Sequence, residues 1–148
     1  MPPISKVDPC HCHVVRRAAR YVTAFYDEAL APAGLRLAQF SMLAQLSDDR
    51  DIALGELAEI LGLDRTTATR NLKLLEREGH VRISPAEGDA RRKAIRLTDQ
   101  GWTVLRRASP LWQAAQAAFE ERHGSALVER LHSVLDELDE VRKTATGD

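Results

Sequence analysis

Four polar side chains, spaced three or four residues apart between positions 66 and 77, are the best suited in this sequence to bind another molecule. A helix turns about 100° per residue, so this spacing places them on one face and the apolar residues between them on the other. The polar face carries Thr66, Arg70, Lys73 and Arg77, and the apolar face carries Ala68, Leu72 and Leu75. Hydroxyl and long cationic side chains in a row can lie in the major groove of DNA, where they contact base edges and phosphates. The alternative interpretation is an ordinary solvated helix face.

The charge of the chain is balanced overall but unevenly distributed. Its 148 residues include 21 Lys or Arg and 22 Asp or Glu, for a net charge of −1. From Asp64 to Arg107, eleven basic residues outnumber six acidic ones, whereas from Glu120 to Asp148 eight acidic residues outnumber four basic ones. A basic middle segment with an acidic end indicates a localised anion-binding surface, although a patchy surface without function would carry the same charges.

Other function classes find less support in the sequence. An enzyme needs a nucleophile with its base, a pair of carboxylates or a glycine-rich phosphate loop, and we find none of these patterns. A helical protein–protein adaptor without DNA binding is the alternative from another class, but it has no need of the basic stripe. No apolar run approaches the roughly 20 residues of a membrane helix, and the N-terminus does not resemble a secretory signal. We therefore expect a cytoplasmic protein that does not contact membranes.

The elements that position the basic stripe are predicted to be helices. Composition favours helix, and apolar periodicity places the first four helices over residues 10–30, 38–46, 55–61 and 64–79. Asp64 is a good N-cap for the fourth, and Gly79 suits the position just beyond its end. The short third helix, the tight Gly62-Leu63 turn and the fourth helix together predict a helix-turn-helix.

A β-hairpin follows the fourth helix in the sequence. Residues 80–84 and 93–97 read as short antiparallel strands, and the charged segment 85–92 reads as the loop between them. The end of this loop and the start of the second strand present a second basic group, consisting of Arg91, Arg92 and Lys93.

Two further helices follow, and the first and last helices carry narrow apolar stripes. One long helix is predicted from residue 99 to about 122, and the last helix begins beyond Ser125. The stripes consist of Val15, Ala18, Val22, Phe25 and Ala29 on the first helix and of Leu127, Leu131, Val134, Leu138 and Val141 on the last. They could pack into a monomeric core or against a second copy of the chain. We favour the dimer, because the remaining globular part is small for covering two long helices.

A set of motifs runs from the third helix to the start of the long helix. It comprises Leu57-Ala58, Gly62, Asp64-Arg65-Thr66-Thr67, Thr69-Arg70, Leu72, Leu75-Glu76, Glu78-Gly79, Asp89-Ala90-Arg91-Arg92 and Leu97-Thr98-Asp99-Gln100-Gly101. In this respect the chain resembles, over nearly its whole length, the multiple-antibiotic-resistance regulator (MarR) family of winged helix-turn-helix transcription factors. The resemblance implies a mostly α-helical fold with a small β-hairpin wing. A winged helix-turn-helix DNA-binding lobe is then joined to a helical dimerisation region formed by the N- and C-terminal helices.

The resemblance also implies a domain organisation and an oligomeric state. The chain would form a single MarR-like domain over residues 1–148, with the DNA-binding lobe at 34–107 and dimerisation helices at 9–33 and 108–146. Family members are obligate homodimers whose first and last helices interlock, which fits the two apolar stripes. A dimer presents two recognition helices to a palindromic operator in double-stranded DNA, with half-sites about one helical turn apart.

DNA-contacting residues can be carried over by position from the family. The fourth helix would be the recognition helix in the major groove, with contacts from Arg65, Thr66, Thr67, Thr69, Arg70, Lys73 and Arg77. In the wing, Arg91 would reach into a minor groove, oriented by a charge-assisted hydrogen bond to Asp89. Arg92 and Lys93 would contact phosphates. Asp89 could equally form the turn, since Gly-Asp is common there, and the two roles are compatible.

Members of the family commonly bind phenolic or other aromatic acids in a crevice between the dimer helices and the DNA-binding lobe. Here such a crevice would draw on His13, Arg16, Arg17, Arg20, Phe40, Met42 and Trp112. An arginine at the edge of an apolar pocket would suit a carboxylate. The plainer interpretations are a solvated or interface position for each arginine and core packing for Phe40 and Met42. We expect a repressor released by a small aromatic or anionic ligand, with no cofactor.

The run Cys10-His11-Cys12-His13 allows three interpretations. The resemblance to hydroperoxide-sensing members of the family suggests a redox-sensing regulator, in which Cys10 or Cys12 is oxidised to a sulfenic acid or an intersubunit disulfide. Sensing relatives, however, keep their thiol within the first helix, whereas these lie at its very beginning. Four adjacent ligands cannot close a tetrahedron around zinc or copper without help from another segment, so we assign no metal. In the third interpretation the four residues are inert at a frayed helix start.

Overall fold

The computed structural model describes residues 10–48, 52–86 and 89–146, and of residues 89–92 and 146 it describes only the backbone. The α-helices in these ranges are α1 His11–Leu30, α2 Leu37–Leu46, α3 Leu54–Ile60, α4 Arg65–Arg77, α5 Asp99–His123 and α6 Ser125–Thr146. Strands β1 Val81–Ala86 and β2 Asp89–Leu97 form an antiparallel pair between α4 and α5. The predicted fold class and order of elements are confirmed.

Two compact units share the chain, one ending at Trp112 and the other beginning at Gln113 within helix α5. In the first unit, helices α2, α3 and α4 and the start of α5 contribute to one apolar core. Its fully buried side chains, each 0% exposed, include Met42, Leu43, Leu57, Leu75 and Ala108. A close-packed core of this kind resists deformation, so it holds the side chains on the surface of the unit in fixed positions.

A single carboxylate on α1 holds the start of α2. Asp27 Oδ1 accepts the backbone N–H of Leu37 at 2.7 Å, and Oδ2 accepts a hydrogen bond from the Arg36 guanidinium at 3.1 Å. The side chain of Gln39 accepts the N–H of Arg36 at 2.9 Å. These acceptors satisfy N–H groups that no helical carbonyl can reach, so α2 begins stably although no Ser, Thr, Asp or Asn precedes it.

The hairpin is longer than we expected from the sequence. Pro85 pairs with Lys93 and Ala86 with Asp89, with a register shift between these two pairs. The expected loop over 85–92 is therefore wrong, because β1 continues through Pro85 and β2 begins at Asp89. A two-stranded sheet has two free edges, and at a free edge a proline removes no ladder hydrogen bond.

The terminal helices α1 and α6 expose large apolar side chains. On α1, Val14, Val15 and Tyr21 are 51%, 58% and 52% exposed, and burial is confined to Tyr26 and Leu30 near its end. On α6, the side chains that are 41–66% exposed are Leu131, Val134, Leu135, Leu138 and Val141. None of the described helices is long and apolar enough to cross a bilayer. The predicted stripes are thus only partly exposed in the single chain. Val22, Phe25 and Ala29 on α1 and Leu127 on α6 are half-buried, whereas the other stripe residues face solvent.

Candidate nucleic-acid interface

Asp64 holds helix α4 at its N-terminus. Its Oδ1 accepts the backbone N–H of Thr67 at 2.8 Å, and its Oδ2 accepts the Thr67 hydroxyl at 2.6 Å. The hydroxyl and then the backbone hydrogen bond of Thr67 hold the pKa of the Asp64 carboxyl below its ordinary value, because they stabilise the charged form. The predicted N-cap is confirmed, and it places a negative charge at the positive end of the helix dipole.

The two faces predicted for α4 are confirmed. Ala68, Leu72 and Leu75 are 0%, 5% and 0% exposed and belong to the core of the first unit. The opposite face carries the exposed side chains of Thr66, Arg70, Lys73 and Arg77. Because α4 is buried along one whole side, it cannot rotate about its axis without exposing apolar surface, so its polar face is fixed toward solvent.

The cations of α4 have no acidic partner within the part of the chain that the structure describes. Four side chains are in this position: Arg65, Arg70, Lys73 and Arg77. Together with Thr66, Thr69 and Leu74 they line one open groove along the helix. A row of cations without internal counter-charges attracts external anions, and a polyphosphate backbone supplies them at regular spacing.

The three threonines of α4 differ in what their hydroxyls already bind. The Thr67 hydroxyl donates to Asp64 at 2.6 Å, and the Thr69 hydroxyl donates to the carbonyl oxygen of Arg65 at 2.7 Å. The Thr66 hydroxyl has no hydrogen-bond partner among the described residues, and the side chain is exposed. Its hydroxyl proton is therefore the one available to a phosphate or base acceptor, whereas Thr67 and Thr69 offer their remaining lone pairs.

Leu74 is the groove residue that we did not expect from the sequence. It is half-buried and lies among the cations of α4. Leu74 lies four residues after Arg70 and three before Arg77, and this helical spacing alone predicts a position beside the polar face. An apolar side chain at such a place suits contact with a thymine methyl group.

The wing contributes one described side chain to the candidate interface. Lys93 is exposed on β2. The backbone of Asp89, Arg91 and Arg92 belongs to β2, but their side chains lie outside the described part of the structure, as do residues 87–88. The DNA contacts expected of Asp89, Arg91 and Arg92 therefore stay predictions.

The residues expected to form an effector crevice fall into two groups. His13, Arg16, Arg17 and Arg20 are all exposed on α1. Arg16 and Arg20 line one groove with Thr23 and Asp27, whereas Arg17 lines another with Tyr21. The second group consists of Phe40, Met42 and Trp112, which pack in or against the core of the first unit.

Phe40, Met42 and Trp112 belong to that core. Phe40 is 6% and Met42 is 0% exposed, and Trp112 packs against the same cluster. The rings of Phe40 and Trp112 stack with their centroids 5.7 Å apart. Core packing, the plainer interpretation, therefore describes both Phe40 and Met42 in this chain.

The Cys/His run lies at the start of α1, as expected. Cys10 is the N-cap residue and makes no side-chain capping hydrogen bond. Both Cys10 and Cys12 are exposed free thiols, and His11 and His13 are exposed beside them. No group of three or more His, Cys, Asp or Glu side chains within the described ranges is placed to hold a metal ion.

Comparison with known proteins assigns the family. Residues 33–92 match a family model described as the MarR family. The transcriptional regulator TtmR of Methylorubrum extorquens is 32% identical in an alignment of 131 residues that covers 86% of this chain and 66% of TtmR. The chain thus spans just under two thirds of the length of the first curated relatives that it matches.

Solved structures extend the likeness to the whole fold. The transcriptional regulator MosR of M. tuberculosis is 40% identical with a TM-score of 0.76, over 90% of this chain and 98% of MosR. The structure of MosR in complex with DNA is 41% identical with a TM-score of 0.74. The repressor CouR of Rhodococcus jostii, bound to a 23-mer DNA duplex, gives 26% identity and 0.75 over 94% of this chain and 99% of CouR. These relatives are transcriptional regulators rather than enzymes. The chain therefore belongs to the MarR family and has its winged helix-turn-helix fold.

Proposed function

We propose that the protein is a homodimeric transcriptional regulator that binds a palindromic operator in double-stranded DNA and acts as a repressor released by a small aromatic or anionic ligand. The observation that carries DNA binding is the row of cations on α4, which have no acidic partner among the described residues and lie opposite a fully buried face. MosR and CouR, which share this fold, have been solved in complex with DNA, and this supports DNA binding by the present chain. CouR is a transcriptional repressor, which supports repression by this protein.

The exposed apolar side chains of α1 and α6 support the homodimer. On α6, Leu131, Val134, Leu138 and Val141 recur every three or four residues, which is the spacing of a helix-packing seam. Complete burial of a large apolar side chain contributes about 1.5–3 kcal/mol, so covering the exposed parts of these side chains with a second copy would stabilise a dimer. The charged opposite face of α6 would stay in water. We therefore assign both stripes to contact with a second copy of the chain.

Selection of DNA by the wild-type protein tests the proposal. Duplexes selected from a random library should contain an inverted repeat. The affinity for a selected duplex should fall by orders of magnitude between about 50 and 200 mM salt, because each phosphate contact releases counterions. It should also exceed the affinity for a scrambled duplex by about 10³-fold or more. A protein that enriches no duplex, or whose binding ignores salt, is not the proposed regulator.

Single substitutions locate the surface. We expect Arg70→Ala to weaken binding of the selected duplex by about 1–3 kcal/mol, or roughly 5- to 150-fold, through loss of a groove contact. Arg91→Ala should weaken it as well, with unchanged dimerisation and melting temperature. Arg130→Ala on α6 removes the same charge from an exposed residue and is the matched control. If both Arg70→Ala and Arg91→Ala bind like Arg130→Ala, the surface is misassigned.

A second candidate for the release step uses the thiols of Cys10 and Cys12. Both are free and exposed at the start of α1, one of the helices that we assign to the dimer. A peroxide would oxidise a thiol to a sulfenic acid, or two thiols from different subunits to a disulfide, and would itself be reduced to water or an alcohol. In that case peroxide releases the wild-type protein from DNA but not the Cys10→Ser/Cys12→Ser variant. Release of both proteins by peroxide eliminates the thiol switch.

A further inference from the structure

The start of helix α5 donates hydrogen bonds to three successive backbone carbonyls just beyond helix α4. The Gln100 side-chain amide donates to the carbonyl oxygen of Glu78 at 3.2 Å. The Thr98 hydroxyl donates to the carbonyl oxygen of Gly79 at 2.5 Å, and the Thr98 N–H donates to that of His80 at 3.1 Å. Carbonyls at a helix C-terminus have no helical N–H partner, so these contacts fix an end that would otherwise fray.

The Gln100 side chain also lies over the turn by which the chain leaves α4. Gly79 has φ +78°, the left-handed conformation in which glycine commonly ends a helix. A Cβ placed on Gly79 would be 3.1 Å from Gln100 Oε1, so the amide sits directly on this backbone. Gln100 thus binds the turn through its nitrogen and packs against it through its oxygen.

This turn connects the two proposed DNA-binding elements. Helix α4 ends at Arg77 and strand β1 starts at Val81, while β2 ends at Leu97, next to Thr98. A rotation of α4 relative to the hairpin would have to change the backbone between Arg77 and Val81. Glu78 is the first residue of this turn, and its hydrogen bond to Gln100 opposes such a change of the backbone.

We propose that Gln100 is a positioning residue, which holds the recognition helix α4 at a fixed angle to the wing so that both reach one operator together. This inference rests on the proposed DNA-binding function. Thr98 also caps α5, because its hydroxyl oxygen accepts the N–H of Gly101 at 3.0 Å. A substitution of Thr98 would therefore disturb α5 as well as the turn. The Gln100 side chain is exposed and makes no described hydrogen bond besides that to Glu78, so it is not needed for the core.

Discrimination between DNA sequences separates a positioning role from a stabilising one. Specific binding requires base contacts from both elements in register, whereas non-specific binding depends mainly on phosphate charge. Loss of folded protein lowers both affinities equally and leaves their ratio unchanged. Loss of the angle between helix and wing lowers the specific affinity alone.

The experiment measures the dissociation constants for a duplex selected by the wild-type protein and for a scrambled duplex of the same composition. We expect Gln100→Met, which removes the donor, to lower the ratio of the two constants about 2- to 10-fold, the range of one net hydrogen bond. Gln100→Glu keeps the side-chain shape but cannot donate, and it should lower the ratio as well. Gln113 is exposed on α5 and its side chain makes no hydrogen bond among the described residues, so Gln113→Met should bind like the wild type.

Three results overturn the inference. An unchanged ratio in Gln100→Met shows that the hydrogen bond does not set the angle. A reduced ratio in Gln100→Glu with an unchanged ratio in Gln100→Met shows that the new carboxylate, and not the lost donor, causes the effect. Equal weakening for both duplexes, with a lower melting temperature, indicates a stabilising role. Failure of the wild-type protein to select any duplex removes the proposed function together with this inference, whereas the other three leave the proposed function standing.

Discussion

Gly101 lies against the carbonyl oxygen of His80, so closely that a Cβ at position 101 would be 2.0 Å from that oxygen. The same oxygen accepts the N–H of Thr98 at 3.1 Å. Gly101 is buried in the first turn of α5, and His80 immediately precedes β1. The first turn of α5 can therefore approach the base of the hairpin only where a side chain is missing.

Gly101→Ala should destabilise the protein. The added methyl group meets backbone rather than a flexible side chain, so α5 must shift, at a cost of roughly 1–3 kcal/mol. Gly55→Ala is the matched control, since a Cβ on Gly55 of α3 would meet nothing within 4 Å. There, alanine should leave stability unchanged or raise it by about 0.5–1 kcal/mol. Thermal or urea unfolding measures both, and equal stability of the two variants would contradict the close approach.

Helix α4 shows what could be predicted from the sequence. Its apolar face, its cationic face and its Asp64 cap all depend on residues within one helix, and periodicity relates such residues directly. Ala68 and Leu75 are fully buried, as predicted, and Arg70 and Lys73 are exposed. Local patterns therefore predict this part of the candidate site well.

Contacts between distant residues could not be predicted in the same way. The Asp27 carboxylate caps α2 from another helix, and Arg107 donates to the carbonyl oxygen of Ala33 at 2.8 Å. Nothing in the local pattern relates these pairs, because they meet only after the chain has folded. The hairpin length was missed for a related reason, since Pro85 is acceptable in a strand only when that strand has a free edge.

Asp64→Ala should lower both thermal stability and affinity for the selected duplex at neutral pH, because Thr67 loses its acceptor and the first turn of α4 frays. The folded state lowers the pKa of the Asp64 carboxyl, so its contribution is complete above the ordinary aspartate pKa of about 4. The contribution is lost as the pH falls through the lower value of the folded state.

The difference in melting temperature between wild type and Asp64→Ala should therefore shrink on acidification toward that value. Asp136→Ala, at an exposed position of α6, should show no comparable difference at any pH. A difference that stays constant over the acid range would mean that the charged form of Asp64 is not the cap.

Glutamates on the apolar face of α6 should prevent dimerisation. Leu135 and Leu138 are each 59% exposed, so Leu135→Glu/Leu138→Glu does not disturb a core in the single chain. In a dimer, however, the variant would bury two carboxylates per subunit without partners, and the interface would not form. Light scattering should show a dimer for the wild type and for the control Ala126→Glu, but a monomer for the double variant. A dimeric double variant would exclude this face from the interface.

We expect the α1 groove lined by Arg16 and Arg20 to bind the carboxylate of an aromatic acid, so salicylate should release the wild-type protein from its selected duplex. Arg16 and Arg20 line one such groove, whereas Arg17 lines another. A charge-assisted hydrogen bond contributes about 1.5–3 kcal/mol, so Arg20→Ala should raise the salicylate concentration for half-release by about tenfold or more. Arg17→Ala removes the same charge and should not change that concentration. Equal shifts in both variants would show that salicylate acts through net charge, and release that is insensitive to Arg20→Ala would place the effector elsewhere.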